Sequence, residues 1–164
     1  MQLPDPEQLI LQLAAALKPR LRADTALVGI HSGGAWVAQK LHALLSDALP
    51  LGTLDISFYR DDFSRIGLHP QVRPSDIPFD VADAHIILID DVLHTGRTVR
   101  AAMNELFDYG RPAAIELAVL IDRGGRELPI VADWIGARLD LTGTQNVQVT
   151  LDPNHQLQLS LHER

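Results

Sequence analysis

The chain has 164 residues, of which 46% are hydrophobic and only 5% aromatic, and it contains no cysteine. A chain of this length is typical of one domain with a mostly aliphatic core, so we expect residues 1–164 to form a single domain. The lack of cysteine excludes disulfides, zinc–thiolate sites and a cysteine nucleophile. The net charge of −7, from 14 basic and 21 acidic residues, opposes non-specific attraction to nucleic acid.

The first 22 residues are predicted to form a helical segment. Asp5 and Pro6 are typical of an N-cap and a first helical residue, and leucines recur at helical spacing up to Pro19. A secretory signal would require a basic residue near the start of the chain, but no lysine or arginine occurs before Lys18. With apolar runs too short for a membrane span, we expect a cytoplasmic protein that does not contact membranes.

Residues 25–30 are a short apolar run that predicts a strand, followed by a helix from Ala35 to about Leu45. The loop between them consists of His31, Ser32, Gly33 and Gly34. Two interpretations stay open for this loop. It binds an anion with its backbone amides, or it is a tight strand-to-helix turn that needs glycine.

A second strand is predicted where Leu54, Ile56 and Phe58 alternate with polar residues. The following residues 60–80 are polar and rich in glycine and proline. A loop of this length in a compact domain is usually functional or mobile.

The most informative stretch is an apolar run that ends in two carboxylates. Residues 86–89 show no polar alternation, which is typical of a central parallel strand covered on both faces. Asp90 and Asp91 follow at its carboxyl end. Because burial of an unpaired carboxylate is costly, we expect a ligand or a charge to compensate them.

The loop after the acid pair predicts phosphate binding. Residues 95–98, Thr-Gly-Arg-Thr, offer amides at a helix start, two hydroxyls, a guanidinium and a glycine that admits close approach. Carboxylates beside such a loop favour a sugar phosphate, whose hydroxyls or hydrated Mg²⁺ they would bind. The alternative is that Asp90 and Asp91 are turn or capping residues and that Thr98 is a helix N-cap.

The remaining pattern predicts a helix over 98–108, strands over 115–121 and 131–135, and a hairpin of 147–151 with 157–161. Alternating strands and helices indicate an α/β fold, a parallel β-sheet flanked by helices, with a C-terminal β-hairpin. Ligands of such sheets bind at the carboxyl ends of the strands.

Residues 87–98 resemble the phosphoribosyl diphosphate (PRPP) signature of type I phosphoribosyltransferases. Further segments are similar to the pyrimidine-operon regulators with uracil phosphoribosyltransferase activity, the PyrR family: residues 54–62, 100–103, 110–112, 117–124 and 126–130. The resemblance extends over about residues 25–151. It implies an enzyme that makes UMP and pyrophosphate from uracil and PRPP with Mg²⁺, and a homodimer or larger homo-oligomer.

The resemblance also assigns site residues. The catalytic residues it implies are Asp90, Asp91 and Arg60, of which Asp90 and Asp91 hold the metal indirectly, through PRPP or water. Successive strand residues face opposite sides, which would let only one of the two acids contact the ribose. The residues implied for PRPP and UMP are Ser32, Gly33, Gly34, Asp90, Asp91, Val92, Leu93, His94, Thr95, Gly96, Arg97 and Thr98.

On the base side, the resemblance implies Asp122, Arg123, Gly124 and Val147. The alternative is an Asp/Gly turn with Arg126 and Glu127 as a surface pair. The chain departs from the family at three positions: Gly33 replaces a basic residue, Gly125 replaces a histidine, and His94 replaces a frequent tyrosine. We interpret His94 as tolerated variation.

The resemblance further implies that residues 60–80 form a mobile lid over the donor, with Arg60 and Arg65 as candidates for the diphosphate. The alternative is a solvated, charged turn. A second function is also implied, an RNA-binding attenuator that senses uridine nucleotides. The only dense basic cluster is Lys18, Arg20 and Arg22 in an acidic chain, so the sequence favours catalysis over RNA binding.

Overall fold

The structure is a computed structural model that describes residues 1–57 and 75–164. Arg60, Arg65 and most of the predicted lid lie outside the described residues. The helices are α1 (Pro6–Leu17), α2 (Gly33–Leu45) and α3 (Arg97–Asp108). The strands are β1 (Thr25–Ile30), β2 (Leu51–Leu54), β3 (His85–Leu93), β4 (Ala114–Asp122), β5 (Trp134–Arg138), β6 (Gln145–Leu151) and β7 (Leu157–Glu163).

The first five strands form one parallel sheet in the order β2-β1-β3-β4-β5. The last two, β6 and β7, pair antiparallel as a separate hairpin. The predicted class, a parallel sheet flanked by helices with a C-terminal hairpin, is confirmed.

The central strand β3 is buried on both faces, as predicted. Ile87 and Ile89 pack in a cluster with α1, α2 and the hairpin, whereas Ile86 and Leu88 pack in a second cluster with α3. All four side chains are fully buried. The two faces of the sheet therefore carry separate cores, each closed by its own helices.

The connections of β1 and β3 leave the sheet on opposite sides. The chain passes from β1 into α2 on one face and from β3 into α3 on the other, although β1 and β3 are neighbours. This arrangement is a topological switch point, where open α/β sheets bind ligands beyond the carboxyl ends of the strands. The loop after β1 and the loop after β3 both lie at this edge.

Two predicted strands are displaced. The strand predicted around Leu54 and Ile56 lies earlier, at β2, and Ile56 is buried outside it; Phe58 lies outside the described residues. The reason is the hydrogen bonding beyond Leu54: the Asp55 amide donates to Ser75 Oγ (2.9 Å), and the Asp55 carboxylate accepts from the Ser57 amide (2.9 Å). The backbone amides here donate their hydrogen bonds to side chains and not to a neighbouring strand.

The strand predicted over 131–135 lies later, at β5. Val131 is 79% exposed, and the ladder with β4 begins where Ala118 pairs with Trp134. The amide of the preceding Asp133 donates to the Leu117 carbonyl, and the Leu117 amide donates to the Asp133 carboxylate (both 2.8 Å). Register with β4, and not the apolar run itself, sets where this strand starts.

The two ends of the described chain meet at one side chain. The Glu7 carboxylate accepts from the Leu157 amide (2.8 Å) and pairs with Lys40 Nζ (3.1 Å), which joins α1 to the hairpin and to α2.

Within the described ranges, no helix has the length and apolar character needed to cross a membrane.

Candidate active site

The start of α2 lies directly against the end of β3. A Cβ added at Gly33 would lie 2.0 Å from Asp91 Oδ2, and one added at Gly34 would lie 2.6 Å from the Ile89 carbonyl oxygen. At Gly34 the close atom is backbone, so glycine is required there; at Gly33 any side chain would displace the Asp91 carboxylate. The helix begins at Gly33, two residues earlier than predicted, so its first amides lie at the crevice.

The acid pair lies within β3, at its carboxyl end. Asp90 is 5% exposed and Asp91 is partly exposed. One oxygen of each carboxylate accepts the next backbone amide, Asp91 N at 2.9 Å and Val92 N at 2.7 Å. The amide end of α2 beside them is the positive end of the helix dipole, which favours negative charge here.

Side-chain alternation along β3 reverses at the acid pair. Beyond it, Val92 packs against the cluster of Ile87 and Ile89, while Leu93 belongs to the other cluster. Asp90 Oδ1 would lie 3.2 Å from a Cβ at Gly34, so both carboxylates approach the start of α2. Asp90 is the more buried of the two, and the expectation that only one of them contacts the ribose stays a prediction.

The signature loop, residues 94–98, turns sharply into α3. Gly96 is the N-cap with φ of 94°, a left-handed conformation that favours glycine, and a Cβ there would lie 2.9 Å from Ile130 Cγ1. The Thr95 hydroxyl accepts from the Arg97 amide (3.2 Å). Helix α3 begins at Arg97, so the alternative that Thr98 is the N-cap is wrong. Its hydroxyl is available for another role.

The base-side residues follow the neighbouring strand. Leu93 pairs with Asp122 in the sheet, and the Arg123 amide donates to the Leu93 carbonyl (3.1 Å). The carboxyl ends of β3 and β4 therefore bring these predicted residues to the same edge. Val147 differs, because its side chain is 4% exposed in the core with Ile87 and Ile89.

Arg123 is buried beside a residue that the sequence analysis missed. Arg123 is 9% exposed, and its Nη1 donates to Oδ1 of the missed residue, Asn146 (3.0 Å). The Arg123 Nε has no hydrogen-bond partner among the described residues. Burial, followed by the nearby charge of Arg164, lowers the pKa of the Arg123 guanidinium. The only sequence signal for Asn146 was its place immediately before Val147.

Asp122 is held as a carboxylate by Arg126. Burial alone raises the pKa of Asp122, but hydrogen bonds from Arg126 Nη2 (2.7 Å) and the Gly124 amide (2.9 Å), with nearby positive charge, outweigh it. The net pKa shift is downward. The alternative surface pair of Arg126 with Glu127 is wrong, since Glu127 pairs with Arg97 (2.8 Å).

His94 and Gly125 fit each other in size. His94 Nδ1 lies 2.9 Å from the Gly124 carbonyl, and a Cβ at Gly125 would lie 2.7 Å from His94 Cε1. Because a carbonyl only accepts, the network assigns the proton to Nδ1. The two departures from the family pattern are therefore neighbours, with the imidazole filling space that glycine leaves open.

Within the described part of the chain, no group of three or more histidine, cysteine or acidic side chains is arranged to hold a metal ion. The oxygens of the acid pair are nevertheless donors of the type that Mg²⁺ prefers, and Mg²⁺ usually keeps several waters. The donor set fits an ion held with a ligand, not a metal cage built by the protein.

Comparison with known proteins identifies the class. The phosphoribosyl transferase domain family matches residues 5–154, so the chain belongs to the phosphoribosyltransferases. A hypoxanthine-guanine phosphoribosyltransferase from Bacillus anthracis shares the fold, with a TM-score of 0.67 and 18% identity over 85% of this chain and 84% of that one.

Closer relatives identify the family within this class. Bifunctional protein PyrR of Nitrosococcus oceani is 54% identical over 161 residues, covering 92% of this chain and 91% of the relative. Bifunctional protein PyrR of Pseudomonas fluorescens is 53% identical over 163 residues, covering 97% of both. The chain is a member of the PyrR family.

Proposed function

We propose that the protein is a uracil phosphoribosyltransferase, which makes UMP and pyrophosphate from uracil and PRPP. The observation that carries this proposal is the acid pair of β3, which lies against the first turn of α2 and leads directly into the signature loop. Both loops lie at the topological switch point. Amides, hydroxyls and carboxylates are thus available within one crevice for one sugar phosphate.

The proposed roles follow from the chemistry of these groups. The amides and hydroxyls of the signature loop, at the start of α3, bind the 5′-phosphate, and the first amides of α2 bind the diphosphate. Asp90 and Asp91 accept hydrogen bonds from the ribose hydroxyls and hold Mg²⁺ through water. When bound, Mg²⁺ neutralises charge on the leaving diphosphate. Arg60, outside the described residues, is proposed from the resemblance only.

In the transfer, the bond from C1′ to the diphosphate oxygen breaks and a bond from C1′ to uracil N1 forms, and the N1 proton passes to the departing diphosphate or to water. The sugar passes through a cation-like state. The carboxylates of Asp90 and Asp91 stabilise that positive charge electrostatically, and no covalent intermediate with the protein is required.

The base side supplies groups suited to uracil, whose imide edge presents a donor between two carbonyl acceptors. The polar groups proposed for this edge are the Arg123 guanidinium and the Asn146 amide, which are joined by a hydrogen bond from Nη1 to Oδ1 and which together offer donors and an acceptor. A site built to hydrogen-bond a base edge discriminates strongly against bases that leave those groups unpaired.

We place this activity in the cytoplasm, in a homodimer or larger homo-oligomer.

A radiolabel assay tests the proposal directly. Uracil, orotate, hypoxanthine and guanine are offered separately with PRPP and Mg²⁺, and each is repeated with a chelator in place of the ion. We expect transfer to uracil alone, and only with Mg²⁺. Transfer to a purine or to orotate in preference to uracil would contradict the proposed substrate.

A second candidate function is RNA-dependent regulation of pyrimidine genes. The observation in its favour is that the relatives are called bifunctional. The predicted basic cluster of Lys18, Arg20 and Arg22 is exposed, but it precedes β1 and so lies at the amino edge of the sheet, opposite the crevice. RNA binding there would not need the site's own residues.

A further inference from the structure

Arg126 connects the two halves of the crevice. Its guanidinium donates three hydrogen bonds, from Nη1 to the His94 carbonyl (2.9 Å), from Nε to the Ile130 carbonyl (2.8 Å) and from Nη2 to Asp122 Oδ2 (2.7 Å). These acceptors belong to the signature loop, to the connection between β4 and β5, and to the end of β4. A planar guanidinium can serve three such acceptors at once, whereas an ammonium on a flexible stem cannot hold them in this geometry.

The turn at Gly124 and Gly125 depends on these contacts. Both glycines have left-handed backbones, with φ of 71° and 81°, and they bring no side chain of their own to anchor the turn. The Gly124 amide donates to the Asp122 carboxylate that Arg126 holds, and the Gly124 carbonyl accepts from His94. Residues further along are fixed differently, since the Glu127 and Leu128 amides both donate to the Thr95 carbonyl.

We propose that Arg126 is a positioning residue for the base: it holds the turn at Gly124 and Gly125 against the signature loop in the conformation that receives uracil, without contacting uracil or PRPP. This inference rests on the proposed function, because it assumes that uracil is the substrate. The Arg126 side chain is 25% exposed and that of Asp122 is 10% exposed, so water replaces these hydrogen bonds poorly.

The same two segments carry a matched control. Arg97 and Glu127 form an ion pair of 2.8 Å between the signature loop and the β4–β5 connection, but their side chains are 58% and 54% exposed. Solvent-exposed ion pairs of this kind contribute little to the free energy of folding. The variant Glu127→Gln removes this pair while the Glu127 amide keeps its bond to Thr95.

The test compares Arg126→Met, Arg126→Lys and Glu127→Gln with the parent protein in steady-state assays. Loss of hydrogen bonds to charged and backbone acceptors should raise the KM for uracil by about tenfold or more in Arg126→Met. The KM for PRPP should stay within about twofold, because β3 and α3 still position the signature loop. Arg126→Lys should be intermediate in KM for uracil, and Glu127→Gln should resemble the parent.

An unchanged KM for uracil in Arg126→Met, or equal rises in both KM values, would overturn the inference. Hydrogen exchange without substrate gives a readout that does not need turnover. The Gly124 amide should exchange faster in Arg126→Met than in the parent, with no change in α3. If the parent fails to use uracil, the proposed function fails; if Gly124 exchange is unchanged, the role of Arg126 fails instead.

Discussion

The carboxylate of Asp91 occupies the space beside Gly33 into which any other residue would project. A Cβ at Gly33 would lie 2.0 Å from Asp91 Oδ2 and 2.5 Å from its Cγ. The loop of the family, by resemblance, carries a basic residue at this position. In this chain that charge is absent and the start of α2 packs directly on the acid pair.

The variant Gly33→Ala should therefore lose both stability and transfer activity. The added Cβ would displace the Asp91 carboxylate, and overpacking of this kind typically costs about 1–3 kcal/mol. Urea unfolding and the uracil assay measure the two effects. Gly143→Ala is the control, because no atom lies within 4 Å of a Cβ there. Equal stability and activity for Gly33→Ala and Gly143→Ala would contradict the close packing.

Asp90→Asn and Asp91→Asn should each lower turnover, by unequal amounts. Loss of a hydrogen bond to a charged group is worth about 1.5–3 kcal/mol, or roughly 10- to 150-fold in rate. Asp91 is the more exposed acid, so we expect the larger kinetic loss there and the larger loss of thermal stability at buried Asp90. Full activity in both variants would show that neither carboxylate contacts the ribose.

Thr98→Val should weaken binding of PRPP and UMP with little effect on stability. Thr98 is the second residue of α3 and does not cap it, so the hydroxyl is expected to act on the ligand. The affinity loss should be about 1.5–3 kcal/mol, measured by calorimetry with UMP. A variant that melts earlier yet binds UMP like the parent would return Thr98 to a structural role.

Asp122 should make stability depend on pH in the acid range. Its folded pKa lies below the ordinary value of 3.8, so its contribution is fully present above that pH and is lost as pH falls through the lowered folded value. Asp122→Asn should lower the free energy of unfolding at pH 7 by about 1.5–3 kcal/mol and flatten its fall below pH 4. Urea titrations at several pH values measure this, with exposed Asp140→Asn as control. Parallel pH profiles for Asp122→Asn and the parent would contradict the assignment.

Binding to a pyrimidine-leader RNA hairpin should be weak and strongly salt-dependent. It should depend on Lys18, Arg20 and Arg22, because counterion release requires several clustered cations. Filter binding at two salt concentrations compares the parent with the triple alanine variant, whose uracil transfer should be unchanged. Tight, sequence-specific binding at physiological salt, retained by the variant, would locate RNA recognition elsewhere and raise regulation above catalysis.

Local sequence patterns predict those parts of the fold that neighbouring residues determine. The run at Ile86–Ile89 and the hairpin around Asp152 needed no knowledge of distant contacts, and both are where the sequence indicates. The predicted bounds of β2 were wrong because the side chains of Ser75 and Asp55, and not another strand, accept the backbone hydrogen bonds beyond Leu54; those of β5 were wrong because pairing with β4 sets them. Register is a property of two strands together.

The same distinction applies to the site. The acid pair and the signature loop are contiguous, so their juxtaposition with a helix start could be predicted from spacing. Arg126 was misassigned because its nearest acid in sequence is Glu127, whereas two left-handed glycines turn the chain back towards Asp122. The fit of His94 to Gly125 joins different loops, and no local pattern encodes it.

The bond from the Leu157 amide to Glu7 spans 150 residues of chain. At a synthesis rate of about 5–20 residues per second, the first helix leaves the ribosome roughly 8–30 s before its partner in the hairpin exists. During that interval α1 can pack on α2 through Lys40 and Glu7, but the apolar surface that later receives Val147 and Val149 stays uncovered. This core therefore closes only at the end of synthesis, and until then the apolar face beneath the hairpin is open to contact with other molecules.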